Sequence, residues 1–113
     1  MDYQNNLQQL RVLDTTLRDG EQGAGCSMSA HSKIVIAQTL EEIGVDVIEA
    51  GFPAANAEVF SVVQTVATQS STVQVQALAR ANESDITAAA QALLPAGKRA
   101  VIHVFAATDA QHM

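Results

Sequence analysis

The chain has a single cysteine, Cys26, no tryptophan, two prolines, one tyrosine and three phenylalanines. One thiol cannot close an intrachain disulfide, so a reducing compartment, the cytoplasm, is the simpler expectation. Basic residues are scarce: six Lys and Arg stand against twelve Asp and Glu, a formal net charge of −6 at pH 7. The chain therefore lacks the basic face that nucleic acid or an anionic membrane surface attracts. No apolar run approaches the ~20 residues of a membrane span. The polar, amide-rich stretch Met1 to Gln9 also lacks the charged-then-apolar order of a signal peptide. Low-complexity tracts are missing too, and 48% hydrophobic with 16% charged residues over 113 positions is the composition of one globular core. The expectation is an N-terminal extension over residues 1–10 and one folded unit over 11–113, with neither nucleic acid nor membrane as partner.

What the chain does have is concentrated between Asp14 and Gln22, DTTLRDGEQ. Two carboxylates, Asp14 and Asp19, a third at Glu21, the Arg18 guanidinium, two hydroxyls and an amide follow the short apolar run Val12–Leu13. A mixed-sign cluster at the C-terminal end of a strand is where parallel α/β proteins place their chemistry; a solvated charged turn is the other reading. Gly20, Gly23 and Gly25 read as a loop. GEQGAG matches neither the dinucleotide fingerprint nor the P-loop pattern, so a flexible loop over a site fits better than a phosphate cradle. Cys26 has no CxxC companion and reads as a small loop or packing residue, while His31 and His112 read as solvated.

Four β-prone runs recur at intervals of about thirty residues, the size of one strand–helix unit. They are Arg11–Asp14, Val45–Ala50 (VDVIEA), Val73–Ala79 (VQVQALA) and Ala100–Ala106 (AVIHVFA). VDVIEA is short, β-branched and nearly continuous, as expected of a parallel strand buried on both faces. Between the runs, Ser29 is a good N-cap for a helix burying Ile34, Ala37, Leu40 and Ile43 and closed by Gly44, with Glu41 and Glu42 pointing elsewhere. A second helix over about 56–67 buries Val59, Phe60, Val63 and Val66. A third, capped by Asn82 or Ser84, buries Ile86, Ala89, Ala90, Leu93 and Leu94 and stops at Pro95 and Gly97.

Strict alternation of strand and helix implies a parallel sheet with right-handed crossovers. Two folds satisfy it: a doubly wound sheet, nearly complete at this length, or the first half of a (β/α)8 barrel, which typically needs ~250 residues. Length alone favours the first. Either fold brings polar groups to strand C-termini: Asp14 with Arg18 and Asp19, then Glu49, then Arg80, then His103 and Thr108. A carboxylate can hold a divalent cation, an arginine can neutralise an anionic intermediate, and an imidazole can donate to an oxyanion or shuttle a proton. Each also has a structural reading: Glu49 pairing with Arg80 across adjacent strands, and His103 as a satisfied core histidine.

DTTLRDGEQ, then GVDVIEAGFPAA, ALARA and IHVFAAT, in this order and spacing, resemble the N-terminal region of the 2-isopropylmalate synthase group of barrel metalloenzymes, which also includes homocitrate and citramalate synthases. The resemblance runs from Arg11 to Met113. It implies the N-terminal half of a TIM (β/α)8 barrel, with four strands and three helices here. The implied reaction is a Claisen condensation of acetyl-CoA with 3-methyl-2-oxobutanoate in leucine biosynthesis. It further implies that Asp19 ligates a divalent metal (Mg, Mn or Zn), that Arg18 stabilises the enolate oxygen and that Gln22 supports the site. His103 would contact the 2-oxo acid with Glu49 nearby, and the full-length form would be a homodimer. The His-x-His pair that completes the group's metal site does not occur in this sequence. A portion of a longer polypeptide, inactive alone, is thus the leading expectation, beside a non-catalytic truncated fragment or assembly module and a homocitrate or citramalate synthase portion. A half-barrel also implies two open sheet edges, near Val12 and Val104, and an unclosed apolar interior.

Overall fold

The computed structural model of the chain describes residues 10–22 and 28–106, the side chains of 20–22 excepted. Gly23, Gly25, Cys26, Thr108, His112 and nearly all of the N-terminal extension lie outside the described residues. In chain order the elements are β1 (Leu13–Asp14), α1 (Thr16–Gln22), α2 (Ala30–Glu42), β2 (Val47–Gly51), α3 (Ala57–Gln69), β3 (Gln74–Arg80), α4 (Glu83–Leu93) and β4 (Ala100–Phe105). Two 3-10 turns, Pro53–Ala55 and Leu94–Arg99, join them. Three of the helices begin in the same way. The side-chain oxygens of Ser29, Asn56 and Asn82 accept from the amides of Ser32, Val59 and Asp85 at 3.1, 2.8 and 2.8 Å, satisfying donors the first turn leaves orphaned. At the far end of α2, Gly44 takes a positive φ of 94°, Gly44 N–H donates to the Glu41 carbonyl and Val45 N–H to that of Leu40. This is the Schellman closure, and glycine adopts its left-handed backbone without a Cβ penalty.

The four strands are parallel and lie in the order β1-β2-β3-β4. A doubly wound sheet reverses its strand order at a switch point; here the order never reverses. Ile48 and Ala50 of β2 and Val75, Ala77 and Ala79 of β3 join Leu17, Ala37, Val59, Val62, Val63, Val66, Ala89, Ala92 and Leu93 from the helices in one buried cluster. All helices therefore cover one face, and the residues alternating with these along β2 and β3, Val47, Glu49, Gln74, Gln76 and Leu78 among them, belong to the other. Sequential parallel strands with helices on one side are the first half of a (β/α)8 barrel. All five residues of β2 are buried, as its sequence implies.

Four details differ from the sequence reading. The stretch Thr16–Gln22 is a helix, not a loop, because Leu17 is fully buried in the core and Asp14 Oδ1 accepts the Thr16 amide at 2.9 Å to start the turn. The face of α2 keeps Ala37 and Leu40 against the core as expected but also buries Lys33, while Ile43 is 71% exposed; Glu58 lies near enough to offset part of the desolvation that lowers the Lys33 pKa. The face of α4 likewise keeps Ala89 and Leu93, adds Asp85 and Ala92, and leaves Ile86 and Leu94 exposed. Finally, the face free of helices is mixed where it was expected to be apolar: Val47 and Leu78 alternate onto it, but Arg11 also donates to Gln74 and Gln76 to Glu49 across it.

Among the described residues no strand pairs with the outer edge of β1 or β4, and Val12, Leu13, Val104 and Phe105 are exposed. Unpaired backbone groups on exposed apolar strands template association, so the 113-residue chain by itself should self-associate; sedimentation as a clean, stable monomer would contradict this. Glu41 does not point away. Its Oε2 accepts from the amides of Ser71, Thr72 and Val73 at 2.8, 2.7 and 3.1 Å and from the Thr72 hydroxyl at 3.1 Å, clasping α2 to the loop before β3. Burial pushes its carboxyl pKa up, but these four donors more than offset that and hold it at about 2. A value below the unfolded ~4.3 means the stabilisation is present above that pH and is lost as pH falls toward 2. Glu41→Ala should destabilise the chain by roughly 1–3 kcal/mol and flatten its urea-unfolding midpoint between about pH 4.5 and 2.

Candidate functional site

Four elements deliver the groups that meet on the concave face. Leu17 in the core orients α1 so that Arg18 turns toward β2, where Arg18 Nε donates to Glu49 Oε1 at 2.5 Å. Glu49 is the middle residue of β2, in register with Gln76 of β3, and Gln76 Nε2 donates to Glu49 Oε2 at 2.5 Å. From β4, His103 Nδ1 lies 3.3 Å from the same Oε2. A register shift between Glu49 and Gly51 marks a bulge directly after the carboxylate, a common device for re-aiming a side chain beside a site. Gly51 itself is required there, since a Cβ would sit 3.0 Å from Val59 Cγ1 and 3.3 Å from Val63 Cγ2.

Glu49 is 1% exposed, Arg18 23% and His103 53%. Burial pushes the Glu49 carboxyl pKa up, but the hydrogen bonds from Arg18, Gln76 and His103 and the Arg18 charge outweigh it, and the net shift is downward. The buried group is therefore a carboxylate in the folded protein, stabilising above its unfolded pKa and losing that contribution as pH falls. Asp19, 57% exposed, faces the other end of the guanidinium, with Oδ1 2.9 Å from Arg18 Nη1, while its Oδ2 accepts from the Thr15 hydroxyl at 2.6 Å. Arg18 is clamped between two carboxylates. Its planar fork suits that geometry, and Nη2 is the terminal nitrogen neither carboxylate occupies.

Arg18, Asp19, Glu49 and His103 thus come together. Gln22 ends α1, one turn beyond Arg18, and its side chain lies outside the described residues. Two structural readings are corrected. Glu49 pairs with Arg18, not Arg80; Arg80 Nε and Nη2 bind Asp85 at 2.7 and 3.1 Å, which holds the Asp85 carboxyl below its ordinary range. The Arg80 guanidinium also sits 5.7 Å over the Phe52 ring, which meets Phe105 edge-on at 6.2 Å. His103 is not a core histidine, being half exposed. Gln76 was missed because an amide carries no titratable chemistry. Its signal was there in VQVQALA, where two glutamines alternate with residues packed under the helices.

The HMGL-like family model matches residues 9–113. The chain is similar to 2-isopropylmalate synthases of Campylobacter concisus (53% identical over 102 residues, 90% of this chain), Heliobacterium modesticaldum (53% over 102 residues, 90%) and Chromobacterium violaceum (51% over 104 residues, 92%). It spans about a fifth of the length of these relatives, 20% in each.

Removing the Glu49 carboxylate takes the partner from the Gln76 amide and leaves the partly buried Arg18 with Asp19 alone. Breaking a buried pair from one side costs about 3 kcal/mol or more, so Glu49→Ala should lower stability by roughly that amount in chemical denaturation; a loss under about 0.5 kcal/mol, the range of neutral surface changes, would show that the junction does not hold the sheet together.

Proposed function

This chain belongs to the HMGL-like family, a family of TIM barrels, and from that premise we propose that it is the N-terminal barrel segment of a 2-isopropylmalate synthase, an acyltransferase that joins acetyl-CoA to 3-methyl-2-oxobutanoate. The observation that carries the reading is the junction itself, where a clamped guanidinium, a buried carboxylate and a half-exposed imidazole meet on the concave face. The names of the relatives support the choice of substrates. On the same footing the intact enzyme is proposed to be a cytoplasmic homodimer. Among the described residues no helix is long and apolar enough to cross a membrane.

Each role follows from charge. Arg18 would stabilise the enolate oxygen that develops as a methyl proton leaves the acetyl thioester, a task for which its fixed plane requires little reorganisation. His103, held through Nδ1, would turn Nε2 to the 2-oxo acid. Glu49 orients both, and Gln22, from the end of α1, would line the substrate. The methyl proton would pass to a base outside the described residues, attack of the carbanion on the ketone forms the new C–C bond and an alkoxide that takes up a proton, and water then cleaves the thioester to a carboxylate and the CoA thiol.

Among the described residues no three His, Cys, Asp or Glu side chains converge as a metal site. Asp19 fits as one oxygen ligand of a divalent cation, Mg, Mn or Zn, in a set the described residues do not complete. A cation there would polarise the ketone of the 2-oxo acid.

The 113-residue chain alone, with acetyl-CoA, 3-methyl-2-oxobutanoate and Mg²⁺ or Mn²⁺, should release no detectable thiol. The intact polypeptide that carries it should release thiol steadily, and Arg18→Lys in that context should lower turnover by about a hundredfold or more with little loss of stability. Robust thiol release by the short chain, or normal turnover of Arg18→Lys, would each overturn the assignment.

A further inference from the structure

Glu49 has one oxygen on Arg18 and one shared between two donors of unequal quality. Gln76 Nε2 approaches Oε2 to 2.5 Å from a position 9% exposed on the neighbouring strand, while His103 Nδ1 stands 3.3 Å away on a side chain 53% exposed. The torsion that rotates a carboxylate about its last bond is broad and soft. A long contact to a half-exposed ring cannot hold it, whereas a short one from a buried amide in strand register with Glu49 can. The amide orientation follows, because only its N–H side is attracted to a carboxylate oxygen.

We infer that Gln76 is a positioning residue: by pinning Glu49 Oε2 it turns Oε1 to Arg18 Nε, and so sets the plane of the guanidinium and the direction in which its free Nη2 points. Gln76 touches neither Arg18 nor any reacting atom in this role. It acts through Glu49, and its consequence for turnover rests on the function proposed above.

The test uses the intact polypeptide with Gln76→Leu and Gln76→Glu, read first by the Arg18 Nε–H resonance in ¹⁵N–¹H spectra without substrate. In the parent protein this proton is held by Glu49 and exchanges slowly. Gln76→Leu should accelerate its exchange at least about tenfold, whereas a purely local packing role would leave it unmoved and overturn the inference. Gln76→Glu is the conservative control. Two carboxyls this close share a proton, which raises the pKa of the introduced group, so in its protonated form it still donates to Oε2 and should keep the Arg18 signal slower than in Gln76→Leu at the same pH. The groups facing this point are Arg18 from α1, Glu49 from β2 and His103 from β4. Equally fast exchange in both variants would mean that a donor at position 76 is not what holds Arg18, and overturns the inference. Turnover is the second reading: kcat should fall between about tenfold and a hundredfold with KM for acetyl-CoA nearly unchanged. If the parent polypeptide releases no thiol while the Arg18 signal responds as stated, the synthase reading fails and the positioning link stands.

Discussion

A carboxylate with almost no contact with water has to be surrounded by donors, and Glu49 is the constraint on which the rest of this half-barrel depends. A buried, unpaired charge would cost several kcal/mol, so the three donors around it are requirements of the fold before they are parts of a site. They come from α1, β3 and β4. Satisfying one side chain thereby fixes the approach of the first helix, the register of the central strands and the placement of the last. The same arrangement brings a guanidinium and a half-exposed imidazole together on the concave face.

Two clasps divide the labour within the sheet. Glu41 gathers three consecutive amides at the end where α2 finishes and β3 begins. Glu49 gathers side chains at the middle of the strands. The first joins consecutive units; the second presents a partly open imidazole and a clamped arginine. In barrels the N-terminal ends of strands serve stability and the C-terminal ends serve chemistry; Glu41 sits at the first, and Glu49 lies between the two, with Arg18 reaching it from the helix that follows β1.

Much of the architecture was legible because it rests on local rules. Ser29, Asn56 and Asn82 announce their helices through side-chain caps, Gly44 closes one through its backbone, and the thirty-residue spacing gives the alternation. The full buried faces of α2 and α4 were not legible from apolar spacing, since each includes a charged residue, Lys33 or Asp85, that hydrophobic counting passes over. Asp85 is buried because it holds the backbone amide and guanidinium of Arg80, a contact no periodicity encodes. Within the site, residue chemistry flagged Arg18, Glu49 and His103, but only geometry could pair them. Whether Glu49 turned to Arg18 or Arg80 depended on α1, which a charged, glycine-containing stretch disguised as a loop.

The spacing of contacts along the chain has a kinetic meaning. Glu41 to Ser71, Arg18 to Glu49, Gln76 to Glu49 and Arg99 to Ser70 span 30, 31, 27 and 29 residues, each closing a loop of one strand–helix unit. His103 reaches Glu49 across 54 residues, skipping a unit. Because closure entropy rises with loop length and is offset only by contacts already made, that last link forms cheaply only after β3 has docked between its two ends. The geometry of the junction therefore maps onto an order of assembly, in which the carboxylate acquires its arginine and amide as neighbouring units zip together and its histidine last.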